Sequence, residues 1–118
     1  MKRLLLPAVL LIFSMIMAAC GGAAETAVPE PVTINVTGTD SFAFDPAAIT
    51  VKSGQEVILN FENEGALQHS WVLVSSRVEA AEATDEDAVQ GISTGPVDGG
   101  ETNSLTFVAP AAGTYQIV

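Results

Sequence analysis

Hydrophobic and polar residues alternate with a period of two in several short segments of the chain. The segment EVILNFEN, residues 56–63, places Val57, Leu59 and Phe61 on one face. VTINVTG and SLTF show the same alternation, which is typical of half-buried β-strands. The run HSWVLV is more continuously apolar and predicts a strand buried on both faces, and GTYQIV begins a further strand.

Turn-forming residues separate these segments, notably at Asp45-Pro46, Ser53-Gly54 and Asp98-Gly99. Glycine, proline and aspartate favour tight turns, because they tolerate or fix the backbone angles that turns require. Residues 79–90, EAAEATDEDAVQ, are rich in alanine and acidic residues and predict a short helix. Short alternating strands with little helix predict an all-β fold, a β-sandwich.

The N-terminus has the layout of a secretory signal. A basic segment, Met1-Lys2-Arg3, precedes an apolar run from Leu4 to Met17. That run is shorter than a spanning helix of about 20 residues. The tetrapeptide Met17-Ala18-Ala19-Cys20 resembles a bacterial lipoprotein cleavage box, in which Cys20 becomes the lipidated first residue of the mature chain. The alternative is plain secretion, with Cys20 either a free thiol or removed with the signal.

These features divide the chain into a signal peptide at residues 1–19, a tether at 20–31 and one domain at 32–118. The tether is small and proline-containing and shows no periodicity, as expected of a flexible linker. The remaining residues are few enough for a single domain. We expect the mature protein to lie in the bacterial cell envelope, on the extracytoplasmic side of a membrane and anchored to it by the lipid on Cys20.

The predicted mature chain is strongly acidic. All 14 acidic residues follow Cys20, and only Lys52 and Arg77 are basic in that part of the sequence. Nucleic-acid binding depends on lysine and arginine, so this composition predicts no nucleic-acid partner. Long-range electrostatic steering would favour a partner with a cationic docking surface, although the charge equally serves solubility.

His69 is the only histidine in the chain and the strongest candidate for chemistry. The sequence offers it no identifiable nucleophile or orienting carboxylate, so the protein is not expected to be an enzyme. The acidic triplet Asp85-Glu86-Asp87 lacks the spaced oxygen ligands of a calcium loop and is expected to be a solvated face. Taken alone, His69 fits a structural or surface histidine as well as a metal ligand.

Three segments resemble the cupredoxins, the family of blue copper proteins that includes azurins, auracyanins and plastocyanins. QHSWVLV is similar to the segment that carries the first histidine ligand. FAFDPAAITVKSGQEVILNFENEG resembles the first strands of the family, and SLTFVAPAAGTYQIV resembles the strand that leads into the copper-binding loop. The resemblance covers residues 32–118, with a variable insert at 79–98. It implies a Greek-key β-sandwich and a one-electron carrier with a mononuclear type 1 copper.

The resemblance assigns roles to the residues around His69. His69 would supply one nitrogen to the copper, beside a second histidine, a cysteine thiolate and a weak axial ligand. Ser70 stands where these relatives usually have asparagine, whose side chain pins the neighbouring ligand loop. The carbonyl of Gln68 lies where azurins offer an axial oxygen, whereas auracyanins place the axial residue elsewhere, so the axial ligand stays open. Trp71 is expected in the core.

The sequence departs from the family pattern at Val118. In these relatives the strand that begins Gly-Thr-Tyr ends directly in the cysteine ligand, and a loop with the second histidine and a last strand follow. We therefore expect a C-terminally incomplete cupredoxin, which binds copper only if the missing ligands exist. Cys20 cannot replace the thiolate, because lipidation would block it.

Two other functions are compatible with the sequence. One is a copper-free lipoprotein sandwich that acts as a binding or adhesion module. The other is a copper-delivery protein that binds metal through His69 together with carboxylates or methionines. Delivery through thioethers is disfavoured, because the three methionines, Met1, Met15 and Met17, all lie in the predicted signal.

Overall fold

The computed structural model describes residues 27–118, which form seven strands and a single helical turn. The strands are β1 (Val32–Gly38), β2 (Phe44–Asp45), β3 (Glu56–Asn63), β4 (Val72–Ser75), β5 (Ala88–Ser93), β6 (Thr102–Val108) and β7 (Tyr115–Ile117). The one-turn 3-10 helix spans Asp85–Asp87. The prediction of an all-β fold is confirmed.

The strands form two sheets. The larger has the order β2-β1-β3-β6 and the smaller the order β5-β4-β7. β1 and β3 run parallel, from the pair Val32–Val57 to the pair Gly38–Asn63, and the other pairs in both sheets are antiparallel. Parallel neighbours need a long connection, and residues 39–55 supply it as an excursion that contains β2. This excursion brings Asp40 to the end of the sandwich where β3 finishes.

The core lies between the two sheets and is built on β3. Val57, Leu59 and Phe61 are fully buried, as the alternation predicts. Trp71 is 2% exposed and stacks on Phe107 across the sandwich, with ring centroids 6.1 Å apart. Trp71 is therefore a core residue, in agreement with the sequence. Burial of aromatic and aliphatic side chains of this size is the main stabilising contribution in a domain this small.

The short helix predicted within residues 79–90 is a single 3-10 turn. Only Asp85–Asp87 make a helical turn, and β5 begins at Ala88. Val74 pairs with Ala88, so cross-strand pairing in the smaller sheet outweighs the helix propensity of an alanine-rich segment. Thr84 is the N-cap residue of the turn, and its backbone N–H and its hydroxyl both donate to Asp87 Oδ2.

The predicted signal peptide, Cys20 and most of the predicted tether lie outside the described residues. Residues 27–31 precede β1 without regular structure. Among residues 27–118, the structure contains no helix that is long and apolar enough to cross a membrane.

Candidate metal centre

His69 lies in the loop that enters β4, where it forms an isolated bridge with Val97. The two residues exchange a pair of backbone hydrogen bonds, from His69 N to Val97 O at 3.0 Å and from Val97 N to His69 O at 2.8 Å. β4 itself begins at Val72, so the predicted strand starts three residues later than the apolar pattern indicates. The bridge fixes the backbone of His69 before the strand begins. The side chain of His69 is 11% exposed.

The imidazole of His69 is held by the carboxylate of Asp40. His69 Nε2 lies 2.9 Å from Asp40 Oδ1. Asp40 also accepts the backbone N–H of Ala66 on Oδ2, at 2.8 Å, and that of Leu67 on Oδ1, at 3.1 Å. One carboxylate from the loop after β1 therefore binds both the loop that precedes His69 and the ring of His69.

Asp40 is held in its ionised form. The backbone N–H of Ala66, the His69 side chain and the backbone N–H of Leu67 hold the pKa of Asp40 below its usual value. An ionised carboxylate only accepts hydrogen bonds, so the contact requires a proton on His69 Nε2. In the neutral imidazole, Nδ1 then carries the lone pair, and no hydrogen bond within residues 27–118 occupies it. Nδ1 is thus the atom available to a metal.

The side chain of Asn63 fixes the same region from inside. It is fully buried, and its Nδ2 donates to the carbonyls of Leu67, at 2.7 Å, and Val97, at 2.9 Å. Its Oδ1 accepts the backbone N–H of Gly65 at 2.9 Å. These three hydrogen bonds of a buried amide hold the loop in place. Removing the Asn63 side chain would leave buried polar groups of the loop unpaired.

The other residues singled out in the sequence surround His69 without a demonstrated role. Ser70 lines a cleft of about 430 Å³ with His69, and its hydroxyl makes no hydrogen bond within the described chain. The pinning role of Ser70 therefore stays a prediction. The Gln68 side chain points to Asp98, whose Oδ1 it binds at 2.7 Å. The rings of Phe42 and His69 form a T-shaped pair with an interplanar angle of 87° and centroids 5.7 Å apart.

The acidic triplet at 85–87 is engaged in local structure. Its side chains are exposed, Asp85 accepts the Ser93 hydroxyl at 2.7 Å, and Asp87 accepts the backbone N–H of Thr84 at 2.9 Å. Between residues 27 and 118 no three side chains of histidine, cysteine, aspartate or glutamate form a group that could hold a metal ion.

Within residues 27–118, His69 is suited to be one ligand of a copper ion. The described residues do not supply the other ligands of a complete copper centre. An imidazole with a free Nδ1, braced through Nε2, is a good ligand for copper. The type 1 set also needs a thiolate and a second imidazole. The only cysteine in the sequence is Cys20, which lies outside the described residues, and His69 is the only histidine.

Two residues of this site were missed from the sequence. Asp40 stands in a polar turn, TGTDS, and nothing local connects it with a residue 29 positions later. Asn63 did carry a signal. It continues the buried positions of β3 after Val57, Leu59 and Phe61, and a polar residue in that register indicates a buried hydrogen-bonding role.

Comparison with known proteins agrees with the resemblance to the blue copper proteins. Residues 31–118 match the model of a family described as copper binding proteins, plastocyanin/azurin family. Auracyanin-A of Chloroflexus aurantiacus is 36% identical, over 96% of this chain and 85% of the relative.

Solved structures agree with this match. The structure of auracyanin A, described as a "blue" copper protein from Chloroflexus aurantiacus, superposes with a TM-score of 0.62 at 32% identity, covering 75% of this chain and 85% of that one. The dithionite-reduced auracyanin of Roseiflexus castenholzii superposes with a TM-score of 0.58 at 29% identity, covering 70% of this chain and 79% of that one. The chain belongs to the plastocyanin/azurin family of copper-binding proteins, the cupredoxins.

Proposed function

We propose that this chain is the larger part of a blue copper one-electron carrier, rather than an enzyme. His69 supplies one ligand of a mononuclear type 1 copper through Nδ1. The thiolate, the second imidazole and the axial ligand come from residues outside 27–118. Membership of the plastocyanin/azurin family and the likeness to auracyanin support copper and electron transfer.

The observation that carries this proposal is the position of Val118 relative to His69. Val118 exchanges two backbone hydrogen bonds with Val72, at 2.9 and 3.0 Å, so it continues the pairing of β7 with β4. Val118 and His69 also line the same cleft of about 430 Å³. A residue that follows Val118 would enter or border the cleft that His69 also lines, where a second ligand could reach the imidazole.

A second, larger cleft supports a further strand in the complete protein. It measures about 870 Å³, and its lining includes residues 47–51 and residues 113–117. The core residue Trp71 and the partly buried Leu73 and Phe107 also line it. Within the described chain, β7 pairs only with β4, so a strand placed in the cleft would pair with the free edge of β7 and cover apolar surface.

The location and partners are proposed from the sequence. A signal peptide at 1–19, lipidation of Cys20 and a tether at 20–31 would hold the domain at 32–118 on the extracytoplasmic face of a bacterial membrane. The acidic surface would favour a redox partner with a cationic docking surface, because opposite charges speed the encounter of two proteins.

The test is to read the gene beyond the Val118 codon, and then to add Cu(II) to the full gene product. The type 1 set requires a cysteine and a second histidine, and by the cupredoxin pattern we expect an open frame that gives the cysteine at once and the histidine in the short loop that follows. The protein should then show the strong visible absorption of a copper–thiolate bond. A stop codon, with a native protein whose mass ends at Val118, would favour the copper-free binding module instead.

Two matched samples make the spectroscopic result specific. The 118-residue chain alone should give no strong visible absorption with Cu(II), because it lacks the thiolate. The His69→Ala variant of the full product should lose the type 1 spectrum. An unchanged spectrum in that variant would contradict the role of His69.

A further inference from the structure

We propose that Asp40 is the positioning residue for the copper ligand His69, because its carboxylate fixes the Nε2–H tautomer and thereby presents Nδ1 to the metal. This inference rests on the proposed function, since it concerns the same ligand. It adds a residue from a separate loop, 29 positions upstream of the histidine.

The geometry of the Asp40 carboxylate supports this role. The carboxylate makes three hydrogen bonds, all to one short stretch of chain, from Ala66 N at 2.8 Å, Leu67 N at 3.1 Å and His69 Nε2 at 2.9 Å. Two bonds to backbone N–H groups fix the carboxylate itself in place. The third bond can therefore define both the tautomer and the rotation of the imidazole ring, as carboxylates do for other metal-binding histidines.

The surrounding chain is shaped to allow this contact. A Cβ atom at Gly65 would collide with the Asp40 carboxylate, so only glycine leaves room for it. Asp40 stands in a tight turn after β1, in which Phe42 N donates to Thr39 O at 3.0 Å. The Phe42 ring, itself 82% exposed, lies in a T-shaped arrangement with the imidazole, so the Asp40 carboxylate is the only hydrogen-bonding partner of the ring within residues 27–118.

Charge gives Asp40 a second effect on the metal. An ionised carboxylate on Nε2–H makes the imidazole a stronger electron donor at Nδ1, which favours the more positive Cu(II) over Cu(I). Removing that charge while keeping an acceptor should therefore raise the reduction potential. A residue that only held the loop in place would leave the potential unchanged once the protein had folded.

The first experiment needs no copper, so it is independent of the proposed function. Imidazole nitrogen chemical shifts of the 118-residue chain, measured by NMR at about pH 8 where an ordinary imidazole is neutral, report which nitrogen carries the proton. We expect the Nε2–H tautomer in the unmodified chain and a mixture of tautomers in Asp40→Ala. The Nδ1–H tautomer in the unmodified chain would overturn the proposal.

The second experiment uses the full gene product with copper. Asp40→Asn keeps a hydrogen-bond acceptor and removes the charge, so it should fold even if Asp40→Ala does not. We expect a raised reduction potential and a 10–100-fold weaker copper affinity, the usual cost of losing such a partner. Glu56→Gln is the matched control, because it removes one exposed negative charge at the opposite end of β3. Equal potentials and affinities in the two variants would overturn the proposal.

Discussion

The side chain of Asn63 and the backbone of His69 share one acceptor, the carbonyl oxygen of Val97. Asn63 Nδ2 lies 2.9 Å from this oxygen and His69 N lies 3.0 Å from it. The last residue of β3 is thereby joined to the bridge that holds the candidate ligand. The position of His69 consequently depends on a buried amide as well as on its own bridge with Val97.

Asn63→Ala should destabilise the domain by about 3 kcal/mol, because the carbonyl of Leu67 and the N–H of Gly65 would lose a buried partner at about 1–3 kcal/mol each. Urea unfolding followed by circular dichroism measures this loss. Asn60→Ala is the matched control on the same strand, since Asn60 hydrogen-bonds with Asn35 and Ser104 at the exposed surface. Its cost should be about 1 kcal/mol or less. Equal losses in both variants would show that the buried amide has no special role.

Gly99→Ala should destabilise the domain by about 1–3 kcal/mol, the usual cost of overpacking. A Cβ atom at this position would lie 2.7 Å from the carbonyl oxygen of Gly65 and 2.8 Å from that of Ala66. Both are backbone atoms of the loop that binds Asp40, so they cannot move aside without disturbing it.

Gly113→Ala is the matched control for this substitution, because a Cβ atom there meets its nearest neighbour only at 3.9 Å. We expect Gly113→Ala to be neutral or slightly stabilising, since alanine restricts the unfolded chain more than glycine does. Thermal unfolding of both variants measures the two effects. A Gly99→Ala protein as stable as the unmodified protein would contradict the close approach of Gly99 to the carbonyl oxygens of Gly65 and Ala66.

Asp40 should contribute to stability above about pH 4, its unfolded pKa, and lose that contribution in acid. Hydrogen bonds from Ala66, His69 and Leu67 lower its pKa in the folded state. The folded protein therefore binds a proton less readily than the unfolded chain, and stability falls as the pH drops from about 4 through the folded pKa. Urea unfolding between pH 7 and about pH 3 measures the slope.

Asp40→Asn removes this ionisable group, so its stability should fall less steeply with acid than that of the unmodified protein. Asp45→Asn, in β2, makes the same carboxylate-to-amide change outside this hydrogen-bond network and serves as the control. Parallel acid slopes in the unmodified protein and Asp40→Asn would contradict the assignment of these hydrogen bonds.

The fold was largely predictable because the core follows a local pattern. The alternation of Val57, Leu59 and Phe61 identifies the buried face of β3, and the continuous apolar run identifies β4. The segment at 79–90 has alanine and acidic residues that favour helix locally, but only one helical turn forms in it before β5 begins. Its actual structure depends on pairing between Ala88 and Val74, which no local pattern records.

The site was predictable only in part, for a similar reason. His69 stands out because it precedes an apolar run and because that run resembles a known ligand segment. Asp40 reaches His69 only through the parallel pairing of β1 with β3, which brings the turn after β1 to the loop after β3. Such a contact between residues far apart in sequence follows from topology, so composition and periodicity do not contain it.

The central claim is that His69 binds copper through Nδ1, with ligands from residues outside 27–118. A crystal structure of the copper-loaded full gene product, with the metal located by its anomalous scattering, tests it most directly. The account predicts copper on His69 Nδ1, with Nε2 still hydrogen-bonded to Asp40. Copper bound elsewhere, or bound to His69 through Nε2, would contradict it.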